Sequence, residues 1–332
     1  MNMQKTVLLA VVVISLFFVG CTAPKIRLFP SQADPLKEFT LEGEADQKIL
    51  VIPVRGIISD APHEGFVSTR PSLVQEVVSQ LRLAQDDERV KAVVLKIDSP
   101  GGSVTASDIL FNEILTFKQQ TGAKVVVAMM GIAASGGYYI SLPADYIFAH
   151  PTTLTGSVGV IFLRPKVIGL MEKIGVGVEV NKSGLNKDMG MPYRPATAEE
   201  EKILQAMTDQ LGERFVDLAA KYRNFSPTVK AEIGSARVYL AQEALEMGMV
   251  DEIGYLSQAI AKAKQLAGLP DNARVIVYRR TEYPDDNIYN TSTRYGGGDL
   301  PLISVDLLPD ALNQFRTGFY YLWPATAISE DR

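Results

Sequence analysis

Apolar positions along this chain follow two rhythms, and the rhythms alternate. Ile49 to Ile58, Val90 to Ile97 and Lys124 to Met130 are short runs dense in Val, Ile and Leu, and each reads as a strand. Between them Leu73, Val74, Val77, Val78 and Leu81 recur at helical spacing, and Ala106 to Phe117 repeats that spacing. Strands that alternate with helices predict a parallel sheet with crossover helices, an α/β fold. Further on, Thr197 followed three positions later by Glu200 reads as a capping box. It opens a helix whose Ile203, Leu204, Met207, Leu211, Phe215 and Leu218 form one apolar face. Two more helices are predicted through Ala241 to Met247 and Leu256 to Leu266.

The two ends break this rhythm. In residues 1–21, Lys5 precedes an apolar run from Val7 to Val19. That run is short against the roughly 20 apolar residues a bilayer-spanning helix needs, so it suits the core of a signal peptide. Residues 22–48 carry Pro24, Pro30 and Pro35 among polar residues and read as a tether, with the folded part beginning near Phe39. The main domain is assigned to residues 49–269, and residues 270–332 form a C-terminal extension. Within that extension Arg274 to Tyr278 has strand character and Tyr283 to Asp299 reads as loop. Leu300 to Trp323 is apolar and aromatic but broken by Pro301, Pro309 and Gly318; it reads as packing back on its own domain, with a membrane or a neighbouring subunit as the alternative. No internal repeat is present.

With 47% hydrophobic and 21% charged residues, the 332-residue chain can bury a substantial core. A net charge of -5 argues against nucleic-acid partners, which need a basic face to collect phosphates. Cys21 is the only cysteine, so an intramolecular disulfide and a multi-cysteine metal site are both excluded. Phe18-Val19-Gly20-Cys21 resembles a bacterial lipoprotein signal, with Phe18 standing where Leu is usual. The resemblance implies cleavage before Cys21, a lipid on that cysteine, and a domain anchored on the extracytoplasmic side of a membrane in the bacterial cell envelope. An incidental thiol and an uncleaved anchor helix are the other readings of this segment.

The candidate chemistry is narrow. The two histidines, His63 and His150, stand in no catalytic or metal-ligand spacing, so no metal is expected. Asp98-Ser99-Pro100-Gly101-Gly102-Ser103 follows a predicted strand and precedes a helix, which puts it at the carboxyl edge of the sheet, where α/β ligand sites collect. Paired glycines there let a substrate approach the backbone and aim free N–H groups at developing negative charge. Neither a P-loop nor a dinucleotide fingerprint occurs at this turn. Gly131 to Tyr139 follows the next strand in the same way, with small residues flanking Ser135. Such a serine, at the start of a helix, suits a nucleophile that a carbonyl must approach closely; the plain alternative is a helix N-cap.

Four segments in order carry a resemblance: Ser-Pro-Gly-Gly-Ser at 99–103, Ala-Ser-Gly-Gly-Tyr-Tyr at 134–139, Leu-Thr-Gly-Ser-Val-Gly-Val at 154–160 and Lys-Ser-Gly-Leu-Asn-Lys-Asp at 182–188. Together they resemble the signal peptide peptidase A family of serine proteases, over about Ile49 to Leu266. The resemblance implies a Clp protease/crotonase-like fold and a serine endopeptidase without cofactor. It implies Ser135 as nucleophile, Lys187 as general base and Ser157 as the residue that orients the lysine. For the oxyanion it implies the backbone N–H groups of Gly102 and Gly136. An ordinary lysine, with a pKa of about 10.4, cannot accept the serine proton at neutral pH, so Lys187 must be desolvated in the assembled site. Signal peptides left after cleavage are the implied substrates, with misfolded exported proteins as a second class, and a homo-oligomer is expected to complete the sites.

One departure stands out, since the family often has Gly-Arg-Val-Tyr-Thr-Gly where this chain has Ala236-Arg237-Val238-Tyr239-Leu240-Ala241. Two rival functions fit the same fold. Crotonase-type acyl-CoA chemistry would need a nucleotide pocket and carboxylate acid/base groups. A lipoprotein scaffold would keep the fold without turnover.

Overall fold

The computed structural model describes residues 34–64, 69–291 and 318–324. The predicted signal segment and Cys21, and most of the Leu300–Trp323 stretch, lie outside those residues. In chain order the strands are β1 (Lys37–Glu42), β2 (Lys48–Arg55), β3 (His63–Glu64), β4 (Thr69–Arg70), β5 (Val90–Ser99), β6 (Gly101–Ser103), β7 (Lys124–Ala134), β8 (Tyr146–Ala149), β9 (Leu154–Gly156), β10 (Ile161–Leu163), β11 (Val238–Leu240), β12 (Glu252–Ile253), β13 (Arg274–Arg279) and β14 (Gly318–Leu322). The helices are α1 (Leu73–Gln85), α2 (Val104–Thr121), α3 (Gly136–Tyr139), α4 (Ile168–Ile174), α5 (Ala198–Arg223), α6 (Pro227–Ile233), α7 (Ala241–Glu246) and α8 (Leu256–Leu266).

The main sheet runs β1-β13-β2-β5-β7-β8-β12, and its neighbours from β13 to β12 are parallel. Its central strands are apolar almost throughout because both faces are covered. Leu50, Ile52, Val93, Leu95, Val125 and Val127 point to the face that carries α1 and α2. Their neighbours Ile49, Val51, Val94 and Val126 point to the other face, against Leu256, Ile260 and Ala263 of α8. The helix around Ala106–Phe117 runs from Val104 to Thr121: the Ser103 hydroxyl accepts from the Ala106 N–H at its start, and Gly122 closes it at φ 68°. Thr197 and Glu200 form the predicted capping box of α5.

Both ends of the folded region add to this sheet. The residues assigned to the tether up to 48 include β1, which is paired antiparallel with β13 and packs Phe39 and Leu41 onto the α8 side. The tether is therefore shorter than the sequence suggested, because alternating apolar residues at 39 and 41 can cover a sheet face despite their polar surroundings. The strand-like run after Pro270 is β13, inserted between β1 and β2. A second, three-stranded sheet, β10-β14-β6, is antiparallel throughout and brings the far C-terminal region against the Gly101–Ser103 turn.

Lys48 ties the start of the sheet together. It is 1% exposed, and its ammonium donates at 2.7 Å both to Glu38 on β1 and to Asp87 after α1. The guanidinium of Arg89, and then Lys48, hold the Asp87 carboxyl well below the usual carboxylate range. Lys48→Met should lower unfolding free energy at pH 7 by about 1–3 kcal/mol, as expected when a buried charged partner is removed. Because the Asp87 pKa is depressed on folding, its contribution is present above its ordinary value and lost as pH falls below it. Denaturant titrations of both proteins should thus converge as the pH is taken down through the carboxylate range.

Candidate active site

The site begins with an irregularity in β7. Between the pairings Ile97↔Met129 and Ser99↔Ala133, β7 uses four residues where β5 uses two. The extra residues form a bulge that bends β7 out of register and leaves backbone groups to be satisfied. The Asp98 carboxylate accepts from the Ile132 N–H at 3.1 Å, and the Thr153 hydroxyl donates to the carbonyl of Met130 at 2.5 Å. Beyond the bulge β7 leaves β8 and pairs with β9, setting Ala134 opposite Gly156.

Ser135 is the next residue. Its N–H donates to the Gly156 carbonyl at 2.7 Å, and its backbone is held at φ 53°, ψ -114°. A residue with a Cβ stays in that region only when its surroundings force it, and such strain collects at functional sites. The serine stands at the N-cap position of α3 but its side chain caps nothing. It is 1% exposed, and its Oγ has no hydrogen-bond partner among the described residues. A buried hydroxyl without a partner carries a desolvation cost, which a reacting group accepts for its chemistry. α3 itself is a single turn, so it supplies Ser135 with nearby free N–H groups rather than with the field of a long helix. It is pinned by Tyr138, which donates to the Met249 carbonyl at 3.1 Å, and by Tyr139, which donates to Asp108 at 2.6 Å. Burial pushes both phenols above their ordinary range.

The Gly101-Gly102 turn meets this elbow at van der Waals limits. A Cβ on Gly101, whose φ is 101°, would lie 2.7 Å from the Gly136 nitrogen. A Cβ on Gly102 would lie 1.9 Å from the Ile58 carbonyl oxygen. On that side Ile58 N–H donates to Gly101 O and Ser103 N–H donates to Ile58 O, at 2.8 and 3.0 Å. In such a bridge the Gly102 N–H points to the opposite edge, toward β14. The structure thus brings together Ser135, Gly136 and the Gly101-Gly102 turn in one cradle.

Ser157 adjoins the same place. It follows Gly156, takes φ 51°, is 8% exposed, and donates its N–H to the Arg237 carbonyl at 2.8 Å. The departure at 236 lies against it: Ala236 occupies φ 59°, where glycine costs less, and its methyl would meet a Cβ on Gly159 at 2.7 Å. The glycine that the resemblance implies at this position would suit that backbone.

Lys187 is not brought to Ser135 in the single chain. It lies at the end of an exposed stretch, Glu172 to Lys187, and no hydrogen bond joins its amine to the Ser135 hydroxyl. The residue after it is fixed. Asp188 is buried and receives Lys182 at 2.8 Å and Arg194 at 2.7 Å; Arg194 also donates to Glu200, which caps α5. Arg194, then Lys182, hold the Asp188 carboxyl well below the usual range. Arg194, then the Thr197 N–H, bring Glu200 down to about 2. The network moors Lys187 to the start of α5 while leaving its own side chain in solvent.

Sequence reasoning missed Asp98 and Thr153 as the staples of the bulge, and Tyr321 as a neighbour of the cradle. Asp98 lay inside a segment already singled out, but its partner is set by strand register. The only sequence signal for Tyr321 was the aromatic character of its segment.

A strained serine with a free, buried hydroxyl beside glycine N–H groups suits acyl transfer. Comparison with known proteins agrees with that chemistry. The profile of peptidase family S49 matches residues 117–270, and that of Clp protease matches residues 68–154. The Enterococcus faecium protein named "Putative signal peptide peptidase SppA" is 36% identical over 253 residues, covering 76% of this chain and 73% of that protein. Protease 4 of Haemophilus influenzae is 35% identical over 74% of this chain, which spans 39% of that longer protein. Among solved structures, a point mutant of ClpP1 from Listeria monocytogenes matches with a TM-score of 0.41 and 21% identity, covering 63% of this chain and 94% of that one. The mostly parallel sheet and the Clp protease profile agree with the Clp-like fold expected from the sequence, and the chain belongs to peptidase family S49 as a serine endopeptidase.

Proposed function

We propose that this protease degrades residual signal peptides, and misfolded exported proteins as a second class, while held to the extracytoplasmic face of a membrane by a lipid on Cys21. The observation that carries the mechanistic part is the free, buried Oγ of Ser135 on its strained elbow. In the proposed reaction Ser135 Oγ attacks the peptide carbonyl and passes its proton to the neutral amine of Lys187. The carbonyl oxygen, now an anion, is received by the N–H groups of Gly102 and Gly136, each worth about 3 kcal/mol in the transition state. The C–N bond breaks, the lysine returns the proton to the leaving amine, and water hydrolyses the acyl-serine. Ser157, next to the elbow, orients the lysine.

Assembly is part of this proposal. The segment that leads to Lys187 exposes Leu170 at 60%, Ile174 at 62% and Leu185 at 77%, together with Val176, Val178 and Val180. An apolar surface of this kind marks a contact between chains, and covering it with a second copy would desolvate Lys187 as the base role requires. No helix among the described residues is long and apolar enough to cross a membrane, so the anchoring reading rests on the lipoprotein-like signal alone. The name of the Enterococcus faecium relative supports the choice of signal peptides as substrate.

The test is cleavage of a synthetic signal peptide by the chain from Thr22 onward. Wild type should cut, and Ser135→Ala and Lys187→Ala should each lose turnover while keeping the circular dichroism of the wild type. Cleavage by either variant at the wild-type rate would remove that residue from the mechanism. Mixing the two inactive variants should restore part of the activity if one subunit supplies the serine and another the lysine. Ser135→Ala should also leave stability unchanged or raise it by about 1 kcal/mol, since it deletes a buried hydroxyl without a partner.

Arg194 provides a separate test of how Lys187 is placed. Arg194→Met should lower kcat/KM about 10- to 100-fold, the scale of a misplaced reacting group, while Ser135 stays chemically intact. Glu200, at about 2, stabilises the fold above its ordinary value and loses that contribution as pH falls toward 2. Removing its partner should therefore move the acid-unfolding midpoint to higher pH, read by fluorescence across an acid titration.

A further inference from the structure

Arg55 is paired with Asp98 in the parallel ladder of β2 and β5, and the Gly56 N–H donates to the Asp98 carbonyl at 3.0 Å. A regular ladder would continue with the N–H of residue 100 donating to the Gly56 carbonyl. Residue 100 is proline and has no N–H to give. The Ser99 hydroxyl takes that place: it donates to the Gly56 carbonyl at 2.6 Å and accepts from the Gly101 N–H at 3.1 Å. Ser99 is 0% exposed and Gly101 is buried, so the hydroxyl serves groups that are poorly reached by solvent.

Past this point the register has moved. From Arg55 opposite Asp98 an unbroken ladder would set Ile58 opposite Gly101, three residues on along each strand, whereas the bridge joins Ile58 to Gly102. One extra residue has been taken up within Ser99-Pro100-Gly101, with Gly101 at φ 101°. The consequence falls on a single donor. In the unbroken register the Gly102 N–H would donate to the Ile58 carbonyl. In the register observed the Ser103 N–H does so, at 3.0 Å, and the Gly102 N–H faces the edge away from β2, where an oxyanion donor is needed.

We propose that Ser99 is a positioning residue for the reaction: its hydroxyl stands in for the missing Pro100 N–H, holds the chain in the shifted register, and so keeps the Gly102 N–H turned to the carbonyl oxygen of the substrate. This rests on the reading of Ser135 as nucleophile and of Gly102 as oxyanion donor, and it adds the group that aims that donor. Both hydrogen bonds of the Ser99 hydroxyl are spent on backbone, so it acts through Gly102 and not on the substrate.

The experiment uses the full chain as wild type, Ser99→Ala and the double variant Ser99→Ala/Pro100→Ala, which returns an N–H to position 100 and with it a donor for the Gly56 carbonyl. The constants kcat and KM are measured on a synthetic signal peptide. Inhibition constants are measured for a peptide aldehyde, which forms a tetrahedral adduct with the serine, and for the matching peptide alcohol, which cannot. Ser99→Ala should lower kcat and weaken the aldehyde by about 100-fold each, the scale of one lost oxyanion donor, while KM and the alcohol constant stay within twofold. The double variant should regain the thermal stability of wild type without regaining kcat, because its ladder can close in the register that spends the Gly102 N–H. Equal loss of aldehyde and alcohol binding, a kcat for Ser99→Ala within twofold of wild type, or recovery of kcat by the double variant overturns the proposal and leaves the nucleophile standing. Failure of both variants to fold, read by circular dichroism, assigns Ser99 to the fold alone and overturns it as well. A wild-type enzyme that binds the aldehyde no more tightly than the alcohol overturns the oxyanion reading and this proposal together.

Discussion

A strand hydrogen-bonded on both edges has no freedom to turn until its ladder is broken, and in this protein the ladder is broken by the bulge between Met129 and Ala133. Asp98 and Thr153 make that break tolerable by taking up the Ile132 N–H and the Met130 carbonyl. The bulge determines the geometry downstream of it: β7 changes neighbour from β8 to β9, the Gly156 carbonyl captures the Ser135 N–H, and the serine is forced to φ 53°. Strain of this kind costs roughly 1–3 kcal/mol and persists only where the surroundings hold it. The fully buried Tyr138 and Tyr139, each hydrogen-bonded on the far side of α3, hold it here.

The segment that carries Lys187 is built on the opposite principle. Where Ser135 is enclosed by core, Lys187 is carried on an exposed stretch whose neighbour Asp188 is held by ion pairs to Lys182 and Arg194. Ion pairs position without burying. Val176, Val178 and Val180 of the same stretch are exposed, and covering apolar side chains of this kind is favourable in itself.

Much of this was readable along the chain wherever the determining contacts are local or repeat with a simple period. The central strands announced themselves because burial on both faces makes Val90 to Ile97 and Lys124 to Met130 apolar throughout. The α5 capping box was visible in Thr197 and Glu200, and the turn at Ser135 in its small neighbours. Features set by register between distant segments were not visible. Nothing local to Asp98 shows that it will face Ile132, and polar residues around Phe39 hid a strand whose partner, β13, lies more than 200 positions away. Ala236 is instructive in the same way, since its positive φ leads into Arg237, whose carbonyl accepts from the distant Ser157 N–H.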